Sequence, residues 1–92
     1  MKKSILLFAL LLTITFSYSQ SAKKLVKTGI TKFQKEDFKG AIDDYTKAIE
    51  VDSNYADAYY YRGYTKFTLK DYQGAIIDYT KNVELDPKSY DG

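Results

Sequence analysis

Carboxylates are the side chains most able to do chemistry in this 92-residue sequence, because it contains no histidine and no cysteine. That composition excludes acid–base catalysis by histidine, thiol nucleophiles, disulfides, and metal sites built on imidazole or thiolate. Acidic residues adjoin at Glu36–Asp37 and at Asp43–Asp44. Neighbouring residues of a helix point about 100° apart, so Asp43 and Asp44 do not converge on one substrate. The sequence therefore predicts no catalytic residue, no metal site and no cofactor.

Basic residues concentrate in the segment that precedes these acids. No acid interrupts its five lysines, which are Lys23, Lys24, Lys27, Lys32 and Lys35. They are spread around the predicted helix rather than along one stripe. This arrangement favours a solvated helix, paired with acids of the following helix, over a site for an anionic surface.

Tyrosines crowd a third segment, at Tyr59, Tyr60, Tyr61 and Tyr64. At about 100° per residue, Tyr60, Tyr64 and Phe67 share one helical stripe, and Tyr59 faces another direction. Tyrosine suits a binding surface, because it buries a large area with few rotatable bonds and keeps a hydroxyl for hydrogen bonding. The alternative is that Tyr60 and Tyr64 only cover a neighbouring unit of the fold.

The elements that must position these residues are revealed by a repeat. EDFKGAIDDYTK at Glu36–Lys47 returns as KDYQGAIIDYTK at Lys70–Lys81, and aligning 22–55 with 56–89 gives 15 identities without a gap. A fixed period of this size indicates stacked supersecondary units. The apolar residues that follow each predicted turn have helical spacing, so each unit is predicted to be a helix, a tight turn and a helix. The predicted first helices are 22–35 and 56–69.

Local signals place the ends and contacts of these helices. Asp37 and Asp71 stand where an N-cap is wanted. Small residues predict close approach of the two helices in each unit, with Gly29 against Ala41 and Gly63 against Ala75. Pro87 is predicted to end the second unit, because the residue before a proline is pushed out of helical geometry.

At these positions the chain resembles the tetratricopeptide repeat family. The resemblance implies an all-α fold, in which tandem helix-turn-helix repeats stack as a short α-solenoid, with repeat 1 at 22–55 and repeat 2 at 56–89. The motif residues pack the repeats. They are Leu25, Gly29, Phe38, Ala41, Tyr45 and Ala48 in the first copy, and Tyr59, Gly63, Tyr72, Ala75, Tyr79 and Pro87 in the second.

The resemblance also implies that the first helix of each repeat lines a concave groove that holds a partner segment. The implied groove residues are Lys23, Val26, Ile30, Phe33, Gln34, Asp57, Tyr60, Tyr64, Phe67 and Thr68. Relatives that bind a C-terminal carboxylate have lysine and asparagine at inner positions where this chain has Val26, Ile30 and Tyr61. An apolar or aromatic segment is therefore the expected ligand.

The N-terminal sequence MKKSILLFALLLTITFSYSQ has the order basic, apolar, small-x-small that is typical of a secretory signal peptide. We predict a signal peptide at 1–19, cleaved between Ser19 and Gln20, and an exported domain at 20–92 that is periplasmic or secreted. The peptide would meet the membrane only transiently. The domain would carry 12 basic and 12 acidic residues, so it has no net charge to attract nucleic acid.

The last residues, 90–92, stand where a third repeat would begin. Stacked repeats usually need roughly three or more units, and Ile77 stands where the first copy has the polar Asp43. Ile77 could therefore support self-association or a partner contact. The predicted function is an exported, non-catalytic protein–protein interaction module of the cell envelope. The alternatives are a glycan-binding module and a self-associating structural protein of the envelope.

Overall fold

The computed structural model describes residues 2–90, and the side chains of residues 18–88. Its elements are α1 (Lys2–Gln34), α2 (Phe38–Val51), α3 (Ala56–Thr68), α4 (Tyr72–Leu85) and a short 3-10 helix (Pro87–Tyr90). No strand occurs within residues 2–90. α1 packs against α2, α3 packs against α4, and α2 and α3 join the two hairpins. The predicted all-α architecture of stacked helix hairpins is confirmed.

α1 is longer than the helix predicted from the repeat, since it runs without a break from Lys2 to Gln34. The predicted signal-peptide boundary, between Ser19 and Gln20, therefore lies inside one continuous helix. The side chains of residues 1–17, and all of Asp91 and Gly92, lie outside the described part, so the domain limits stay predictions. In the described part, no helix combines the length and the apolar character needed to span a membrane.

Both hairpin turns use the same backbone conformation at equivalent positions. Glu36 and Lys70 have φ values of 62° and 67°, which place them in the left-handed region. The next residue then caps the following helix. The Asp37 carboxylate accepts a hydrogen bond from the Gly40 N–H, and the Asp71 carboxylate accepts one from the Gly74 N–H, each at 3.0 Å. Both N-caps agree with the sequence prediction.

The main core joins three helices and is built around one aromatic ring. Its buried members are Ala22, Val26, Ala41, Tyr45, Ala48 and Ala58. The alanines allow the helices to approach closely, and the Tyr45 ring fills the remaining space between them. Because Ala58 lies on α3, this core also fixes the second hairpin to the first.

Asn82 occupies the position in α4 that Ala48 occupies in α2. It is buried, and its Nδ2 donates a hydrogen bond of 2.9 Å to the Ala56 carbonyl at the start of α3. A buried amide is stable when such partners are present. The second hairpin therefore replaces an apolar contact of the first hairpin by a polar one.

Two of the predicted packing residues are exposed. Tyr72 touches Phe67 only edge-on, with ring centroids 5.5 Å apart, and Pro87 begins the 3-10 helix on the surface. Tyr72 is the first residue of α4, and about half of it is exposed to solvent. Neither side chain contributes to the main core.

The predicted glycine contacts need correction. A Cβ atom built on Gly29 would lie 2.5 Å from Cε1 of Tyr45, and one built on Gly63 would lie 3.1 Å from Cβ of Asp78. The three atoms nearest to each Cβ belong to residues other than Ala41 and Ala75. The reason is that a ring packs directly on the Gly29 backbone, where the sequence suggested only close helices.

This difference predicts unequal effects of two matched substitutions. Gly29→Ala should lower the free energy of unfolding by about 1–3 kcal/mol, because the buried Tyr45 ring has no room to move. Gly63→Ala should change it by less than about 1 kcal/mol, because helix propensity gained by alanine offsets a milder contact. Urea denaturation followed by circular dichroism measures both. Equal losses would contradict the packing described for Gly29.

Candidate functional site

An exposed aromatic stripe runs along α3. Tyr60, Tyr64 and Phe67 lie on it, and about half of each residue is exposed to solvent. Single exposed aromatic residues are common, but a contiguous apolar patch on a small protein marks a binding surface. The stripe is therefore the first component of the candidate site.

α1 extends this stripe across the boundary between the two hairpins. The Phe33 ring lies 5.5 Å from the Tyr64 ring and 5.2 Å from the Phe38 ring, measured between centroids. Rings at such distances attract each other through edge and tilted contacts. Phe33 thus brings the predicted groove residues of α1 and α3 together into one surface.

A small cavity opens where these helices meet. Its volume is about 210 Å³. Its walls are Ile30, Phe33, Gln34, Tyr45, Tyr61, Tyr64 and Thr65. Pockets for drug-sized ligands measure roughly 300–1,000 Å³ and enclose most of the ligand. This cavity therefore suits a single side chain of a larger partner better than a metabolite.

Tyr45 contributes an uncharged ring and hydroxyl to the wall of the cavity. Tyr45 and Tyr61 stack with ring centroids 6.0 Å apart. Burial raises the pKa of the Tyr45 hydroxyl to about 12, and a hydrogen bond with Thr65 opposes this effect only in part. Tyr45 is therefore neutral at physiological pH, and this wall favours an apolar group.

The predicted groove residues do not all reach this surface. Val26 is only 4% exposed and belongs to the core, because the packing of α1 against α2 and α3 covers it. Ile30 and Phe33 are half-buried and line the cavity. The polar residues of the predicted groove are all exposed. Gln34 lines the cavity, whereas Lys23, Asp57 and Thr68 do not.

Sequence reasoning missed three cavity residues, Tyr45, Tyr61 and Thr65. The family resemblance implies a packing role for Tyr45, which belongs to the core and forms part of the cavity wall as well. Thr65 is fully buried, and its hydroxyl donates a hydrogen bond of 2.8 Å to the Tyr61 carbonyl. The one available signal was the spacing of four residues between Tyr61 and Thr65, which puts them on the same face of α3.

A second constellation lies between α3 and α4, around a buried carboxylate. Asp78 is 1% exposed. Arg62 donates to it from Nε and from Nη2, each at 2.8 Å, and Nζ of Lys66 lies 3.1 Å from the same carboxylate. Arg62 also donates from Nη1 to Oγ1 of Thr46 at 3.3 Å, which links this group to α2. Such paired and hydrogen-bonded charges can be buried stably.

The first hairpin has a weaker version of the same arrangement. Asp44 is buried, Nζ of Lys32 lies 3.0 Å from its carboxylate, and the Thr28 hydroxyl donates to it at 2.9 Å. Thr28, Lys32 and Asp44 precede Arg62, Lys66 and Asp78 by the repeat period. The sequence predicts ion pairs between the lysines of the first helix and acids of the next helix, and the pair of Lys32 with Asp44 is one of them. It predicts no role for Asp78, although the recurrence of acid and base at one offset is a usable signal.

The buried carboxylates are thus already paired with cations, and they do not converge on a shared space. Within the part of the chain that the structure describes, no group of three or more acidic, histidine or cysteine side chains could hold a metal ion. The arrangement of the site therefore offers apolar contact and hydrogen bonds from hydroxyl groups.

Two family models match the chain. A TPR repeat model covers residues 29–70, and a tetratricopeptide repeat model covers residues 56–89. The chain belongs to the tetratricopeptide repeat family. A search of curated proteins finds no match.

Solved structures with the same fold include a crystal structure of MamA, with a TM-score of 0.71 and 30% sequence identity. The match covers 75% of this chain and 40% of the MamA chain, so this chain spans about two fifths of that protein. A weaker structural match is the first TPR of Spaghetti (RPAP3) bound to the HSP90 peptide SRMEEVD. Its TM-score is 0.46 at 24% identity, over 78% of this chain and 84% of that one.

The two carboxylate groups predict a difference in stability. Asp78→Asn should lower the free energy of unfolding by about 2–4 kcal/mol, because it leaves Arg62 and Lys66 without their buried anion. Asp44→Asn should cost about 1 kcal/mol, because Lys32 is more exposed and can turn to water. Thermal unfolding followed by circular dichroism compares them, with about 4–8 °C expected per kcal/mol. Equal decreases in the unfolding temperatures of the two variants would show that Asp78 does not stabilise the fold more than Asp44.

Proposed function

We propose that this chain is an exported, non-catalytic module that holds an apolar or aromatic segment of a partner protein in the groove along α1 and α3. Membership of the tetratricopeptide repeat family supports a role in protein interaction. The observation that carries the proposal is the exposed stripe of Tyr60, Tyr64 and Phe67, which adjoins a cavity of side-chain size.

Binding in this groove would combine two contributions. One apolar side chain of the segment enters the cavity beside Phe33 and Tyr64, where the neutral Tyr45 forms part of the wall. The backbone of the segment lies along the stripe, where the Tyr60 and Tyr64 hydroxyls can bond to its carbonyls. Each half-exposed ring has about 75–125 Å² left to bury, which corresponds to about 2–3 kcal/mol before the costs of association.

The charges around the groove favour a segment with an uncharged centre. Lys23 and Asp57 are exposed and of opposite sign, and neither lines the cavity. The stripe of Tyr60, Tyr64 and Phe67 contains no acidic or basic residue. Charged residues of the partner would therefore lose hydration at the stripe without gaining an ion pair.

Export is the second part of the proposal, and it is supported by the N-terminal sequence. The order of basic, apolar and small residues across positions 1–19 matches what a signal peptidase processes. Gln20 is exposed on α1, upstream of the main core, which starts at Ala22. Cleavage after Ser19 would therefore leave that core complete.

The groove is tested by selecting binders from a phage-displayed library of random peptides. We expect the selected peptides to share a large apolar or aromatic residue. Tyr60→Ala with Tyr64→Ala should weaken their binding about 30-fold or more, since the two rings together should contribute at least about 2 kcal/mol after the costs of association. Leu69→Ala is the matched control, because Leu69 is equally exposed but does not line the groove.

The helical circular dichroism of both variants should equal that of the parent chain, since all three side chains are at the surface. Calorimetric titration of a selected peptide gives the affinities. Equal affinity of the double variant and the parent would exclude the stripe as the binding surface, whatever peptide was selected.

Export is tested by expressing the full chain in a Gram-negative host and analysing the protein recovered from periplasm and medium. We expect a mature N-terminus at Gln20, seen by mass spectrometry of the intact protein. Ser17→Arg with Ser19→Arg should block this processing, because the peptidase accepts only small residues at these two positions. Recovery of the whole chain from the cytoplasm alone would refute export without affecting the groove.

A further inference from the structure

Cleavage after Ser19 would make Gln20 the first residue of the chain, and a glutamine in that position can react with its own amine. The reaction rests on the export proposed above, because only cleavage creates the free α-amine. Gln20 is exposed on α1. It shares a surface depression of about 310 Å³ with Lys23, Lys24 and Lys27. Cleavage would therefore place an α-amine, a side-chain amide and three lysines together on the surface.

The amine and the amide of a first-position glutamine can react without a co-reactant. The α-nitrogen attacks the side-chain carbonyl carbon, Cδ, and the new bond closes the five-membered lactam of pyroglutamate. The bond between Cδ and Nε2 breaks, and Nε2 leaves as ammonia with one proton from the amine. No electron is transferred, so the step needs neither an oxidant nor a reductant. Because both groups belong to one residue, no partner has to be brought to the site.

The surroundings of Gln20 favour the neutral amine, which is the nucleophile. An ordinary α-amino group has a pKa of about 8, so only about a tenth of it is neutral at pH 7. Lys23 and Lys24 follow Gln20 by three and four residues, which makes them its neighbours on the surface of a helix. Positive neighbours and the positive end of a helix disfavour the charged ammonium. A larger neutral fraction is therefore expected at Gln20 than at an isolated chain end.

No nearby acid in the sequence of α1 offsets these positive charges. Residues 20–35 contain neither aspartate nor glutamate. Among the described residues, no ion pair involves Lys23, Lys24 or Lys27. By contrast, α2, α3 and α4 each have an aspartate at the N-cap or in the first turn. A charged amine is therefore unfavourable at the start of α1, and formation of the lactam removes that charge.

The fold can accept the lactam without rearrangement. The first four N–H groups of a helix have no partner within the helix, so the loss of one amine hydrogen breaks no helical hydrogen bond. Gln20 is exposed, and the main core begins at Ala22. The ring would therefore form at the surface and leave the packing of the core unchanged.

We propose that Gln20 of the exported chain cyclises to pyroglutamate, and that Lys23 and Lys24 promote this reaction by keeping the α-amine neutral. The product has no free α-amine, which is the group that aminopeptidases bind when they remove residues one at a time. Ala22 is fully buried in the core and is only two residues from the new chain end. The lactam therefore protects the start of the core from stepwise proteolysis.

Intact mass tests the modification. The full chain is expressed and exported as in the cleavage test, and the mass of the recovered protein is followed during incubation at pH 7. We expect the mass of residues 20–92 to fall by one molecule of ammonia. Gln20→Ala is the matched control, because it keeps the cleavage site and the lysines but has no side-chain amide. The mass of this variant should stay constant.

Labelling of amines locates the change. Reductive methylation modifies lysines and a free α-amine, so the parent chain should take up label at one amine fewer than Gln20→Ala. A parent chain that begins at Gln20 and keeps both its ammonia and its α-amine would overturn the proposal and leave export intact. A chain that begins at another residue, or that stays in the cytoplasm, would refute cleavage after Ser19 and this proposal with it.

The rate of ammonia loss tests the role of the lysines. Lys23→Glu with Lys24→Glu should slow the reaction at pH 7 about three-fold or more, because two carboxylates beside the amine favour its charged form. Lys39→Glu with Lys88→Glu makes the same change in net charge at exposed positions outside the depression, and it should react at the parent rate. Circular dichroism checks that all variants remain helical. Equal rates for the two double variants would overturn the role assigned to Lys23 and Lys24.

Discussion

The contact between the Tyr45 ring and the backbone of Gly29 is the constraint on which the rest of the structure depends. Any side chain at Gly29 would overlap this ring, so α1 and α2 can approach only because one position has no Cβ. The Tyr45 ring, which belongs to α2, also stacks on Tyr61 of α3. One aromatic side chain therefore closes the first hairpin, joins it to the second, and forms part of the cavity wall. The same side chain therefore packs the helices and shapes the candidate binding site.

The two hairpins share one backbone plan but differ in what stabilises them. The first is closed by alanines around Tyr45, and its carboxylate, Asp44, has one lysine and one hydroxyl partner. The second has a polar Asn82 in place of an alanine, and Asp78 is held by two cations. Apolar contacts are non-directional, whereas the two hydrogen bonds of a guanidinium fix direction. The ion pairs of the second hairpin therefore set the register of α3 on α4 where apolar packing is thin.

The surfaces available for interaction follow from this division. The rings that face away from the core form the stripe along α3, and Phe33 connects it to the first hairpin. Two exposed isoleucines, Ile76 and Ile77, lie on a different helix, α4.

The sequence alone determined the period, the bounds of α3 to within one residue, and both N-caps, because these depend on residues close in the chain. Helical spacing predicts which residues share a side, and Asp37 and Asp71 bond to N–H groups only three residues away. Only the tertiary structure decided that Val26 is covered, that Tyr45 and Thr65 reach the cavity, and that Asp78 receives Arg62 and Lys66. Those outcomes depend on how far each helix rotates about its axis and how closely it packs. Such rotations are set by contacts between distant segments, and a linear pattern does not contain them.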